Sequence, residues 1–371
     1  MSRVDELIRE LCPDGVERVQ LGEIAELKRG TSISKKNMQP GEIPVIAGGL
    51  APAYYIDQSN REGEVIVVAG SGANAGFVSF WDEPVFVSDA FSIQSDDDHL
   101  LLKYAFHALK SKQDHLHDLK KGGGVPHVYA KDVAGIQIPL PPLQVQEEIV
   151  RILDQFAELD RELEQEIAGR EKQFGIVRDK LLMLEDFEKV KLGEIGSVAM
   201  CKRIFKKETD DTGDVPFYKI GTFGKVADSF ISQELFEEYK SKYPYPEAGD
   251  LLLSASGSIG RVVEFDGSAS YFQDSNIVWL KHDETVLKNS FLKYCYQIIE
   301  WTTEGGTIKR LYNKNILDAE IPLPPLETQQ EIAAKLDTFT EYIDNLKRER
   351  ELRQKQYEYY RDRLLDFPVK E

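Results

Sequence analysis

The sequence is poor in cysteine, short of positive charge and free of long apolar runs. Its three cysteines, Cys12, Cys201 and Cys295, are scattered over 371 residues, and none forms a CxxC pair. A zinc ribbon, an iron–sulfur site and a disulfide framework therefore find no support, and a reducing compartment is expected. Lys and Arg number 46 against 64 Asp and Glu, a formal charge of −18. A chain of that balance does not hold nucleic acid by bulk charge alone. Apolar runs such as Val65–Ala69 fall far short of the ~18 residues a membrane helix needs. The stretch from Met1 to Glu10 is charged and amphipathic, unlike a signal peptide. The expectation is a soluble, cytoplasmic protein with no membrane partner.

Catalytic signatures are missing too. There is no Walker phosphate loop, no HExxH and no EF-hand loop. The nearest approach is Gly70-Ser-Gly-Ala-Asn-Ala-Gly76, after the strand-like residues 64–69. A dinucleotide loop must open a helix, whereas Phe77-Val-Ser-Phe-Trp-Asp-Glu-Pro reads as strand and turn. The segment reads as a hairpin turn, and Gly257-Ser-Ile-Gly260 in the comparable place agrees. Of six histidines only His115 and His117 lie close together, without a third ligand. No catalytic residue and no metal site is expected.

What the chain does have is an internal repeat. Ile138-Pro-Leu-Pro-Pro-Leu143 recurs as Ile321-Pro-Leu-Pro-Pro-Leu326, and the register holds from Tyr129 and Lys131 (Tyr312 and Lys314) to Leu181 and Leu182 (Leu364 and Leu365). Gln146, Glu148 and Asp154 recur as Gln329, Glu331 and Asp337, and Leu21-Gly-Glu-Ile24 recurs upstream as Leu192-Gly-Glu-Ile195. The parts between differ in length and sequence. One chain thus carries two units, each a variable globular part followed by a shared tail.

The tails are helical by pattern. Steps of four and three pick out Ile149, Leu153, Phe156, Asp160, Leu163, Ile167, Arg170, Phe174, Val177, Leu181 and Leu184. The matching seam in the second tail holds Ile332, Leu336, Phe339, Ile343, Leu346, Arg350, Arg353, Tyr357, Tyr360, Leu364 and Phe367. Five heptads with an apolar seam suit a coiled coil. The Pro-Leu-Pro-Pro stretch cannot be helix interior and reads as a stiff, extended lead-in. Ile149, Leu153, Phe156 and Leu163 in the first tail, and Ile332, Leu336, Phe339 and Leu346 in the second, are expected to serve helix pairing or subunit contact. An antiparallel pairing would relate the globular parts by a pseudo-twofold axis. The polar seam residues Asp160, Arg170, Arg350 and Arg353 have two readings, side chains reaching solvent or a buried polar layer that fixes register or docks another subunit.

The globular parts read as strand-rich. Short strands are expected at 64–69, 77–80, 84–88 and 91–94, and at 250–254, 261–265, 270–273 and 277–281. Helices are expected near 100–110 and 290–300, and a short one around Val4 to Leu11. The fold class is mixed α/β (α+β). The expected boundaries are a first globular domain at 1–142, a helix at 143–185, a second domain at 186–325 and a helix at 326–371.

One constellation suggests phosphate contact. Each unit has a basic, glycine-rich loop before its Tyr-x-Lys. The first holds Lys120, Lys121, Gly123, His127, Tyr129 and Lys131, and the second Gly306, Lys309, Arg310, Tyr312 and Lys314. Glycines admit close backbone approach, and amides with Lys or Arg can hold a phosphate. Further basic clusters are Lys28, Arg29, Lys35 and Lys36, and Lys202, Arg203, Lys206 and Lys207. Each alone suits a solvated surface; their recurrence in both units points to DNA.

With the doubled Ile-Pro-Leu-Pro-Pro-Leu-x-x-Gln-x-Glu-Ile box, the doubled Leu-Gly-Glu-Ile and the entry Cys12-Pro-Asp-Gly-Val-Glu17, the chain resembles the specificity subunits of type I restriction–modification enzymes along essentially its whole length. The resemblance implies two target-recognition domains, separated and followed by long helices that pair antiparallel. Each domain would read one half of a split, asymmetric site in double-stranded DNA. The chain itself would hold no cofactor. Two modification subunits would supply S-adenosylmethionine and adenine-N6 methyl transfer. Restriction subunits would supply ATP- and magnesium-dependent translocation and cleavage. The family reads DNA through variable regions, so the DNA-binding residues named above rest on charge and glycine alone. A seam of ~36 residues spans ~54 Å, or ~16 base pairs, enough for two half-sites about one turn apart. Two other readings stand beside this one: a two-headed coiled-coil adaptor that binds only proteins, and the specificity chain of a methylation-only or type II-like complex.

Overall fold

A computed structural model describes residues 3–33, 38–183, 187–305 and 309–370. The chain forms two compact units, one of Met1–Glu166 with Lys347–Glu371, the other of Ile167–Leu346.

In the first unit, four antiparallel strands lie in the order Glu26–Arg29, Ala90–Gln94, Val65–Ala69 and Val78–Trp81. The strand Val65–Ala69 is apolar throughout because both its faces are covered. Ile66 and Val68 face the helix Leu102–Lys110 in the main core, whereas Val65 and Val67 pack on Val85 and Val87. A second sheet joins Tyr54–Ile56, Ile43–Ile46 and Phe86–Val87.

The second unit repeats this plan. Its four strands run Gly196–Ala199, Ile277–His282, Leu251–Ser254 and Val262–Glu264. Leu251 and Leu253 enter one core with the helix Asn289–Ile298, and Leu252 enters another with Trp279. The expected strands and helices of the globular parts all have counterparts, with each end within two residues of its expected place.

The proline box departs from the expectation of a mere lead-in. Gln137–Pro139 pairs antiparallel with Arg18–Gln20, and Glu320–Pro322 with Lys189–Lys191. Each is a two-stranded ribbon, so proline's missing donor falls on an unpaired edge. The Leu-Gly-Glu-Ile segments follow as single helical turns, Leu21–Ile24 and Leu192–Ile195. Their first amides donate to the carbonyls of Ile136 (3.0 Å) and Ala319 (2.9 Å). The two repeated motifs thus close each globular part upon itself.

A repeated glutamine fastens this closure to the helix that follows. Gln146 is fully buried; its amide accepts from the Leu101 N–H (2.9 Å) and donates to the carbonyls of His99 and Pro141 (both 2.7 Å). Gln329 accepts from Lys288 N–H and donates to Val286 and Pro324, all at 2.9 Å.

The long helices are Leu143–Leu182 and Leu326–Leu364. In the first unit, Phe156 packs on Tyr360 (5.6 Å) and Tyr357 (6.3 Å), and Asp160 meets Arg350, so the segments run antiparallel. In the second, Phe174 packs on Phe339 (5.8 Å), and the Arg170 guanidinium lies 5.5 Å over the Tyr342 ring, again antiparallel. Ile149 and Leu153 sink into the first unit's core, and Ile332 and Leu336 into the second's. Leu346 is buried, while Phe156, Leu163 and Phe339 are half-buried. Leu184 lies outside the described residues.

Of the polar seam residues, Asp160 and Arg350 are half-buried and pair between the helices, whereas Arg353 reaches solvent. Arg350 donates to both Asp160 oxygens (2.9 and 3.1 Å), and Gln354 to one of them (3.0 Å). Arg353 is exposed and bonds Gln356 of its own helix (3.1 Å). Leu364, Leu365 and Phe367 complete the first unit's core, and Val16 bridges in parallel to Val369.

Candidate nucleic-acid interface

In the first unit the strands Val65–Ala69 and Val78–Trp81 form the expected hairpin. Its loop turns through Gly72 (φ +83°) and Gly76 (φ +88°). A Cβ on Gly76 would stand 2.6 Å from the Leu116 carbonyl oxygen, so only glycine fits. The helix Gln113–Asp118 and its following turn clamp the loop. Gln113 donates to Gly76 O (2.8 Å), the His117 ring bonds Ala75 O (2.8 Å), and Lys120 donates to Ala73 O (2.9 Å). His117 is therefore a structural side chain. Among the described residues no group of three potential ligands could hold a metal ion.

The basic, glycine-rich loop docks onto this turn. Lys121 and His127 exchange both backbone hydrogen bonds (2.8 and 2.9 Å), pinching off residues 122–126. Gly72 N–H then donates to Pro126 O (2.9 Å), and Val128 N–H to Gly70 O (3.1 Å). The second unit builds the same clasp. Glu304 and Arg310 exchange backbone bonds (2.9 and 2.8 Å), and Leu311 N–H donates to Ala255 O (2.8 Å) beside a hairpin turning through Gly257. Gly123 and Gly124 have open space where a Cβ would stand, so packing does not demand glycine there. A bare backbone suits close approach by a ligand.

The side chains on the two clasps differ. In the first, Arg29, Asp89, His127 and Tyr129 line a hollow of about 90 Å³. The Ser71 hydroxyl donates to the Asp89 carboxylate. The His127 and Tyr129 rings stack (6.1 Å), and the Lys131 ammonium lies 6.0 Å over Tyr129. In the second, Arg310 Nη2 donates to Asn276 Oδ1 (2.8 Å) and Ser275 Oγ (3.3 Å). Ser256 Oγ reaches the same Asn276 oxygen (2.8 Å), and Ser275 has a left-handed φ of +51°. Tyr312, which matches Tyr129, is exposed.

Four of the other cations named from the sequence are held locally. Lys28 pairs with Glu26 (2.6 Å), Lys121 with Asp132 (2.8 Å) and Arg203 with Asp274 (2.9 Å). Lys202 lies 5.0 Å over the Tyr243 ring. Lys206 and Lys207 are exposed on the turn Lys206–Glu208, and Lys309 is exposed beside the clasp. Lys314 is on the short helix Asn313–Leu317, bordering a separate cleft with Trp301. Lys35, Lys36 and Gly306 lie outside the described residues.

Sequence reasoning found both glycine-rich segments but not their union, nor Ser71, Asp89, Ser256, Ser275 and Asn276. The available signal was position: Ser71 and Ser256 both fall two residues past a buried strand.

A larger cleft of about 860 Å³ lies on the helical side of the first unit, lined by Lys103, His107, Asp154, Asp160, Arg353 and Tyr357 among others. Asp154 accepts from Lys103 (2.7 Å) and contacts the buried His107 ring (3.2 Å). Asp337 in the second unit accepts from Lys293 and Tyr294 (both 2.6 Å).

Comparison with known proteins matches this doubling. The sequence model described as "Type I restriction modification DNA specificity domain" fits residues 13–169 and again 184–354. A protein named as a type I restriction enzyme specificity subunit, from Haemophilus influenzae, is 42% identical over 84% of this chain and 85% of its own. The specificity subunit of an Escherichia coli type I restriction enzyme is 28% identical over 100% of this chain and 99% of its own. In fold, the chain resembles the crystal structure of a type I S subunit from M. genitalium, with TM-score 0.62 and 18% identity over 94% of this chain and 96% of that one.

Proposed function

The chain belongs to the type I restriction–modification DNA specificity family, and on that premise we propose how its parts divide the work. Residues 1–142 and 186–325 are the two target-recognition domains, and 143–185 and 326–371 the helices that join them. Each domain reads one half of a split DNA site through its glycine clasp. The observation that carries this reading is the recurrence of one backbone clasp in both units with different side chains upon it, His127 in one and Arg310 in the other. A shared backbone holds DNA alike; unlike side chains read unlike bases.

Chemistry belongs to partner chains. Two modification subunits supply S-adenosylmethionine and transfer methyl groups to adenine N6, and restriction subunits supply ATP-driven cleavage. The helical side of each unit offers them a docking face, with the cleft beside Asp154 and Tyr357 as the clearest landmark in the first. Because the chain is acidic, its partners contribute much of the phosphate neutralisation.

The test is to express the chain with its modification subunit in a host free of other adenine methylation and sequence the methylome. A split motif with N6-methyladenine in both halves is expected. A soluble complex that leaves no motif would overturn the reading and favour a protein-only adaptor.

A further inference from the structure

We propose that Asp89 is a cytosine-reading side chain of the first unit, accepting a hydrogen bond from the exocyclic amine of the base in the major groove. The inference rests on the DNA-reading role above and assigns part of it to one residue.

The two clasps carry a matched pair of residues. Ser71 and Ser256 each stand two residues past a buried strand, and Asp89 and Asn276 each stand one residue before the strand that pairs with it. The backbone carbonyls of Asp89 and Asn276 accept alike, from Gly70 N–H (3.1 Å) and Ala255 N–H (2.7 Å). Each side chain also accepts from its serine hydroxyl. There the likeness ends. Asn276 is half-buried, and its oxygen takes Arg310 Nη2 as well (2.8 Å). Asp89 is exposed at the first unit's hollow, and Ser71 engages only its Oδ2. Among the described residues Oδ1 accepts from no donor, and no Lys or Arg pairs with the carboxylate; Arg29 lines the same hollow without doing so. A bare carboxylate repels phosphate, so on a DNA face its use is to accept from a base. The major groove offers two such donors, cytosine N4 and adenine N6. Adenine sets its N7 acceptor beside N6, which opposes the second carboxylate oxygen; cytosine has no acceptor beside N4.

Asn is the apt replacement, because the second unit shows this backbone position holding Asn with the serine bond intact. With its amide oxygen turned to Ser71, its NH2 would face the base and meet the N4 amine donor to donor. The experiment reads the methylome of the full chain co-expressed with its modification subunit. Asp89→Asn should leave one half of the motif intact and cut the preference for a single C·G pair in the other by about 10- to 100-fold. With one negative charge removed, the complex should hold non-specific duplex as tightly as before or more so. Asp89→Ala should relax the same pair, and carries the test if the Asn variant is insoluble. An unchanged motif in a soluble variant would overturn the proposal. So would a uniform fall in methylation at every site, which marks a structural role. A wild-type complex with no split motif would instead refute the DNA-reading role itself.

Discussion

Gln146 sets more at the scale of a single residue than its polarity suggests. Its three buried hydrogen bonds tie the proline box, the turn before the helix Leu102–Lys110 and the first long helix together. Gln146→Ala would strand one amide and two carbonyls, and should cost about 2–4 kcal/mol in urea unfolding of the full chain. A shift no larger than that of an exposed control would contradict the latch. Asp160 supplies a pH test. The Arg350 guanidinium holds its carboxyl below the ordinary carboxylate range, against the opposing pull of burial. A depressed folded pKa means its stabilisation is complete above the unfolded value near 4 and is lost as pH falls through the folded value. Asp160→Asn should thus cost about 1 kcal/mol at pH 6 and markedly less at pH 3. An equal cost at both would show that the pair contributes nothing through charge.

At the scale of elements, the sequence foretold what local pattern dictates. The continuous apolar run of Val65–Ala69, buried on both faces, and the helical stride from Ile149 onward follow from local side-chain pattern alone. The ribbon joining Val19 to Ile138 does not, because three-residue strands so far apart leave no periodic trace. The clasp was hidden for a similar reason. Gly70–Gly76 and Lys120–Lys131 were each legible, but the bond from Gly72 to Pro126 is a long-range fact. Ile149 and Ile332, which that stride places on the seam, also lie in the globular cores, and no local pattern shows this second packing. Two glycines of the clasp should separate fold from function. Gly76→Ala meets both a positive φ and a backbone oxygen, and should cost about 2 kcal/mol or more in thermal unfolding. Gly123→Ala meets neither, so stability should hold within about 0.5 kcal/mol while methylation by the complex falls. Full methylation by Gly123→Ala would remove that loop from the DNA interface.

For the whole molecule, charge and repetition are decisive. At −18 the chain has little to offer bulk phosphate. Alone, it should bind DNA weakly and with a shallow salt dependence, and the complex with its modification subunits should show a steeper one. Tight, sequence-selective binding by the isolated chain would contradict this division. The repetition gives one chain two elaborate globular parts, each presenting its own set of side chains on a common backbone.

The most direct test of that claim is an exchange of one recognition domain. Residues 186–325 would be replaced by the corresponding part of a relative with a different target, and the methylome read with the modification subunit present. One half of the motif should change and the other remain untouched. A swap that altered both halves of the motif, or neither, would contradict it.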